Sequence, residues 1–273
     1  MDDSSPALVK LESLLSGNGL LIYCGLIAIF ILVEMVLIKD KNRKRPGGQH
    51  AFTNFALLIS GMALLALFPL GTAAASLLAA EKHWGLFNLV NAHWSVIILV
   101  AILAMTFTTY WLHRALHGIP LLWKLHRIHH TDTSPDLSTG FRHHPVETLV
   151  MAPVHFAAIV ACGLPLWAAL LANSLLLAGS LFKHLDGSLP PALEKRLGLI
   201  VATPGLHRYH HSAFHKETDS NFGNLLIIWD RLFGTITEVE GNGPKQIGLG
   251  PQFDAGSDSF LTQFLIGFRD PEK

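Results

Sequence analysis

The chain has 273 residues, and its 20 basic and 20 acidic side chains cancel to a formal net charge of zero. Half of it is hydrophobic, only 15% is charged, and the mean hydropathy is +0.40. That is the balance of a membrane protein; it offers no basic footprint for nucleic acid, and two cysteines, Cys24 and Cys162, supply no disulfide scaffold, CxxC pair or iron–sulfur framework.

The start, MDDSSPALVKLESLLSGNG, is acidic and polar where a signal peptide would be basic, so an uncleaved N-terminus is expected. A helix needs roughly 20 apolar residues to cross a bilayer. The first such block is Leu20 to Ile38, and five of the seven residues from Lys39 to Arg45 behind it are basic, which marks that loop as cytoplasmic. Glu34 sits in the last turns of the block and is placed to snorkel to the same edge. The second block, Phe52 to about Ala80, crosses with a tilt, with Pro69 and Gly71 breaking it near its far end. EKHWGLFNLVNAHW, from Glu81 to Trp94, suits an outer interfacial segment. The third block, Ser95 to Leu112, returns inward and ends directly in His113.

The fourth block, Thr148 to Phe182, is about 35 residues long, and as one straight helix it would measure about 52 Å, against a hydrocarbon core of roughly 30 Å. A helical hairpin bent at Gly163 and Pro165 fits better. Its even number of passes returns the chain to the side on which the third block ended. The expected fold is an all-α integral membrane protein: about three transmembrane helices plus a helical hairpin, with a cytoplasmic histidine-rich helical cap. Residues 1–94 are read as N-terminal membrane segments, 95–240 as the catalytic domain and 241–273 as a soluble tail without obvious chemistry.

Histidine carries the chemical signal. Sixteen occur, and nine of them gather in or beside spaced clusters near the membrane ends: His113, His117, His126, His129, His130, His184, His207, His210 and His211. Spacings of three and four put each set on one face of a helix, and Thr203 and Pro204 form a helix start just before His207. A lone HxxxH is usually incidental; the ordered set is not. A structural zinc site closes with about four ligands, so nine histidines call for two metals. Imidazole suits iron, zinc, copper and nickel, whereas calcium and magnesium demand oxygen ligands. Asp132, Glu147, Asp219 and Asp230 are placed to accept the far ring N–H of ligand histidines. His143 reads as a solvated neighbour, His215 as ligand, support or surface residue, and His50, His83, His93 and His155 as interfacial or packing residues. RPGGQH is similar to the haem-binding HPGG of cytochrome b5, but the loop has no room for that domain.

HRALH, LHRIHHTD, FRHHPVE, LHRYHHS and DSNFGNLLIIWDRLFGT together resemble the fatty acid hydroxylase and sterol desaturase superfamily of membrane di-iron oxygenases, in the family's order over roughly residues 95 to 240. The resemblance implies a cap of histidine-bearing helices on a membrane base, two iron ions (zinc as a substitute in a purified sample), dioxygen, and hydroxylation or desaturation of a lipid C–H. The family's boxes fall on His113 and His117, on His126, His129 and His130, and on His207, His210 and His211; His184 in LFKH matches a further family histidine, and His144 lies in the HP pattern. NFG and WDRLFGT read as structural braces, with Asp230 able to hold a ligand histidine in its tautomer. The chain carries no flavin, nicotinamide or haem fingerprint, so an external electron donor is expected, a ferredoxin or cytochrome b5 with its reductase. The rival readings are a membrane-embedded zinc hydrolase, for which no HExxH is present, and a non-enzymatic metal carrier, which would need ionisable groups along a midplane path.

Overall fold

The computed structural model describes residues 10, 13–14, 17–37, 47–239, 243–254, 258–266 and 268. The acidic start, read as uncleaved, lies mostly outside the described residues, and the basic run from Lys39 to Arg45 lies wholly outside them. The chain forms helices α1 Gly19–Leu37, α2 Gly48–Leu65, α3 Thr72–Lys82, α4 Leu86–Leu89, α5 Trp94–Gly118, α6 Pro120–His130, a 3₁₀ turn Leu137–Phe141, and α7 Pro145–Cys162. It continues with α8 Leu166–His184, α9 Pro191–Leu197, α10 Pro204–His210, α11 His215–Thr218, α12 Ile228–Phe233, α13 Pro251–Asp254 and α14 Phe260–Ile266. Among the described residues the only β pairing is two isolated bridges, Val201 with Leu226 and Ser212 with Ile247. The protein is an all-α integral membrane protein.

Three helices, α5, α7 and α8, are long and apolar enough to cross a bilayer, and α1 contains a shorter apolar stretch, Leu21–Val36. The expected hairpin is α7 and α8. Gly163 ends α7 in the left-handed conformation (φ 63°) and Pro165 caps α8. Gly85 (φ 89°) packs against this bend so closely that a Cβ on it would lie 2.2 Å from the Gly163 nitrogen, which fixes the end of the bundle remote from the histidines. Between the two ends the helices meet through small and branched side chains: Ala75 of α3, Ala101 and Met105 of α5, Ile159 of α7, and Ala168, Ala169 and Ala172 of α8 are all buried together. Alanines at these crossings let the helix backbones approach closely.

Two boundaries differ from the sequence reading. The second apolar block is not one helix broken near its far end but two, α2 and α3, separated by residues 66–71 in its middle. Pro69 cannot donate to the helix ladder and forces its predecessor toward extended backbone, and Gly71 then caps α3 in an extended conformation. The third block does not stop at Leu112. Helix α5 continues to Gly118 and so carries His113 and His117 on its last turns.

The cap is assembled over the end where α5 and α8 finish and α7 begins. Ile119 is extended before Pro120, which turns α6 back across the bundle. Arg142 is fully buried and ties three elements together, donating from Nε to the Ile128 carbonyl (3.0 Å), from Nη1 to Asn54 Oδ1 (2.9 Å) and from Nη2 to Thr131 Oγ1 (2.9 Å). Glu34 does more than reach an interface. Its Oε1 accepts from the Leu137 and Asp186 backbone N–H groups at 2.9 and 2.7 Å, so the C-terminal end of α1 is pinned to the cap. Part of the segment read as a soluble tail also packs here. Arg127 donates to the Ile266 carbonyl, and Gln263 of α14 is buried with its Oε1 2.8 Å from Thr131 Oγ1.

Candidate metal centre

The structure brings all nine predicted histidines together, in two groups. His113, His117, His126, His130 and His210 form one, and His129, His184, His207 and His211 the other; within each group one ring nitrogen per residue lies within 4.8 Å of all the rest. The helical phase divides each HxxHH. On α6 the residues four apart, His126 and His130, serve the five-membered group while His129 serves the other. On α10 and its C-cap the assignment is exchanged, with His207 and His211 in the four-membered group and His210 in the five-membered one. Each box thus divides between the two groups, a partition that spacing alone does not state. The two short helices face each other, and each contributes to both groups.

Hydrogen bonds at the outer edge of the rings fix their tautomers. Nδ1 of His113 lies 2.7 Å from the Phe222 carbonyl, Nδ1 of His210 is 2.7 Å from the Ser220 carbonyl, and Nδ1 of His184 is 2.7 Å from the Ser180 carbonyl. Nδ1 of His117 meets Asp219 Oδ1 at 3.1 Å, and Nδ1 of His126 meets Glu147 Oε1 at 3.0 Å. Carbonyl and carboxylate oxygens only accept, so each of these five rings carries its proton on Nδ1 and turns an Nε2 lone pair inward. Yet the inward nitrogens crowd one another. His113 and His126 approach at 3.1 Å, His184 stands 3.1 Å from His129 and 2.8 Å from His207, and His207 stands 3.2 Å from His211. Among the described residues, His117 Nε2, His210 Nε2 and both nitrogens of His130 are buried without a hydrogen-bond partner. Converging lone pairs repel unless a cation sits between them, and buried orphan acceptors are costly. The donor sets therefore fit metal ions, one per group.

Burial, reinforced by neighbouring histidines, holds His129, His130, His207, His210 and His211 well below the ordinary imidazole range. They are neutral at pH 7, the form that ligates. The hydrogen bond from His117 holds Asp219 below the usual carboxylate range, whereas burial raises Asp230.

The remaining predicted residues are placed as follows. Glu147 is fully buried and its Oε1 accepts from both His126 and His143, the latter at 2.9 Å. His143, read as a solvated neighbour, instead completes a third cluster with His126 and Glu147 and stacks on His129 with ring centroids 4.9 Å apart. Its i,i+4 relation to Glu147 was the signal. Asp230 reaches no histidine itself. It accepts from the Phe222 and Gly223 N–H groups, both at 2.8 Å, and so holds the carbonyl that receives His113. His144 lies outside both groups: its Nδ1 accepts from Val146 N at the start of α7, which leaves Nε2 to donate to the Phe264 carbonyl. Asp132 binds Ser134 N and Thr139 Oγ1 and approaches His50, away from the nine. His215 is exposed and its Nδ1 lies 3.2 Å from Asp219 Oδ2, on the carboxylate that supports His117. NFG and WDRLFGT act as braces, as expected: Asn221 donates to the Leu206 and Thr237 carbonyls, and Trp229 donates to Thr106 on α5.

A cavity of about 110 Å³ lies between the histidines and the membrane helices. Its walls include His113, His126, His129 and His184 from both groups, Thr109 and Leu116 of α5, Met151 of α7, and Ser180 and Lys183 of α8. Lys183, overlooked in the sequence, is a buried amine on this wall; its position one residue before His184 was the available clue.

The sequence is similar to those of known proteins. The fatty acid hydroxylase family profile matches residues 97–235. An ornithine lipid hydroxylase of Rhizobium tropici is 26% identical over 258 residues, covering 90% of this chain and 74% of the relative. Human alkylglycerol monooxygenase is 29% identical over 210 residues, 76% of this chain but 45% of that protein, and human lathosterol oxidase is 26% identical over 241 residues, 81% and 73% of the two chains. No solved structure matches the chain. With a profile that spans half of its length and runs through all the histidine boxes, the chain belongs to the fatty acid hydroxylase family.

Proposed function

We propose that the chain is a membrane-bound di-iron oxygenase that hydroxylates a C–H bond of a lipid, with His113, His117, His126, His130 and His210 holding one iron and His129, His184, His207 and His211 the other. The observation that carries the reading is the inward convergence of Nε2 lone pairs on His113, His117, His126 and His210 in one group and on His184 in the other, whose Nδ1 protons are already committed to outer acceptors. Five imidazoles exceed the four-coordinate preference of zinc, and neutral imidazole suits ferrous iron. The relatives named above are a hydroxylase, a monooxygenase and an oxidase, which favours oxygen chemistry over hydrolysis. The overall change is R–H + O₂ + 2e⁻ + 2H⁺ → R–OH + H₂O; loss of a second hydrogen in place of oxygen insertion would give an alkene.

When bound, the two irons would supply the activation of dioxygen that attack on an unactivated C–H requires. The chain's own contribution is positional. Asp219, Glu147 and the Phe222, Ser220 and Ser180 carbonyls orient the ligand rings, and the protein outside the cavity keeps the nine imidazoles out of bulk water. Leu116 and Met151 give the cavity an apolar side for a methylene, while Lys183 places its amine on the same wall for proton supply. The two electrons come from a separate donor, a ferredoxin or cytochrome b5 with its reductase, docking on the cytoplasmic side. That orientation is supported by Glu34, which ties the C-terminal end of α1 to the cap just ahead of the basic run Lys39–Arg45.

The test is turnover with purified, iron-loaded protein, membrane lipid extract, dioxygen and a donor system, read by mass spectrometry. A lipid gaining one oxygen only when the donor is present supports the proposal, and a loss of two hydrogens would reassign it to desaturation. Hydrolysed lipid, or no donor-dependent product, would overturn it.

A further inference from the structure

A second cavity, of about 260 Å³, lies among α2, the 3₁₀ turn and α7. Its walls are mainly apolar, with Leu57, Leu58 and Leu65 from α2, Phe141 from the turn, and Met151 and Ala152 from α7. It shares two residues, His143 and Met151, with the cavity beside the histidine groups. The rest of the partition is a polar contact. Thr109 Oγ1 donates to the Met105 carbonyl, so His155 Nε2, 3.0 Å away, donates to Thr109; His155 faces the second cavity and Thr109 the first.

The surroundings say where this cavity opens. Phe52, Ile59 and Met62 on α2 are 66%, 64% and 59% exposed, and α7 is one of the three helices able to span the bilayer. A contiguous apolar face beside a spanning helix belongs against acyl chains. A chain leaving the bilayer here would meet leucine and phenylalanine side chains and then, past His143 and Met151, the histidines.

We propose that the space between α2 and α7 is the lateral entry and binding groove for a long alkyl or acyl chain of the substrate lipid, with His143 and Met151 forming the neck through which the reacting carbon reaches the metal cavity. The inference rests on the oxygenase reading for what happens beyond the neck, but the groove itself is testable without turnover. His143 is a positioning residue in this scheme. Its Nδ1 is held by Glu147 and its ring lies on His129, so the neck is set by the same contacts that orient the ligands.

The experiment is photolabelling of the full chain in phosphatidylcholine vesicles containing a long-chain diazirine ether lipid, with peptide mapping, before and after metal removal by chelator. Label is expected within residues 57–65 and 148–155 in both states. Ala152→Trp fills the groove and should reduce that label at least tenfold; Leu58→Trp does the same from the opposite wall if the first variant folds poorly. Phe107, Trp111 and Phe233 form a separate exposed aromatic face where α5 meets α12; label confined to that face, or label in residues 57–65 and 148–155 that neither tryptophan diminishes, overturns the groove. The two readings fail separately. Lipid oxidation with label elsewhere removes the groove alone, whereas label here in a protein that oxidises no lipid removes the oxygenase.

Discussion

Glu147→Gln is the most informative single change at the metal centre. One carboxylate oxygen accepts from His126 Nδ1 at 3.0 Å and from His143 Nδ1 at 2.9 Å, while Oε2 is buried without a partner. Hydrogen bonds to a charged group contribute about 1.5–3 kcal/mol against about 0.5–1.5 for neutral pairs. Substitution therefore weakens the support of His126 by about 1–1.5 kcal/mol, close to tenfold, since 1.4 kcal/mol is a factor of ten. The new amide NH₂ occupies the place of Oε2, where it lacks an acceptor, and a buried donor without one costs about 1–3 kcal/mol. The first effect acts on the bound ion and predicts a loss of about tenfold in affinity for the ion among His113, His117, His126, His130 and His210, within the roughly 10–100-fold range seen when groups supporting a ligand are replaced; the second lowers the stability of the fold with or without metal. The four-histidine group contains no residue bonded to Glu147 and should keep its ion. Metal content after graded chelator treatment would fall from two ions per chain to one in the variant at concentrations that leave the parent at two. Parallel loss of both ions, or no change, would refute the reasoning.

The divided boxes make a second prediction: His126→Gln and His129→Gln, three residues apart, each weaken binding of a different ion, and the double variant is weakened at both sites rather than at one. Stability of the metal-free protein should depend on pH with a definite sign. Unfolded histidine takes up a proton near pH 6.5, whereas burial holds folded His129, His130, His207, His210 and His211 below that value. The unfolded chain then binds more protons below about pH 6.5, and the melting temperature falls as the medium is acidified through and beyond that point; a flat profile from pH 7 to 5 would contradict the burial argument. Lys183→Met should slow metal loss to chelator, because the buried amine lies on the cavity wall beside His184 and, when protonated, opposes a second positive charge there. Faster loss in that variant would show that the amine supports the site.

Much of this arrangement is legible in the sequence, for physical reasons that differ by element. The Gly163–Pro165 bend follows from length, since 35 apolar residues outrun a bilayer, and the common end of the histidines follows from counting passes. Eight of the nine ligand candidates follow from spacing, and His184 from the family resemblance. How they divide could not be read, because the partition depends on the mutual rotation of α6 and α10, two short helices whose approach is set by distant contacts such as Asn221 to Leu206 and Arg142 to Ile128. His143 was misread for a related reason. It precedes α7 on irregular backbone, where no periodicity reports facing, and only its pairing with Glu147 turns it inward. The packing of α14 was hidden because Arg127 and Gln263, both polar, are buried by each other's neighbourhood and carry no hydrophobic pattern.

The most direct measurement is anomalous diffraction at the iron absorption edge from crystals of iron-loaded protein. Two peaks are predicted, one enclosed by His113, His117, His126, His130 and His210 and one by His129, His184, His207 and His211. A single peak, or metal bound away from these rings, would contradict the account.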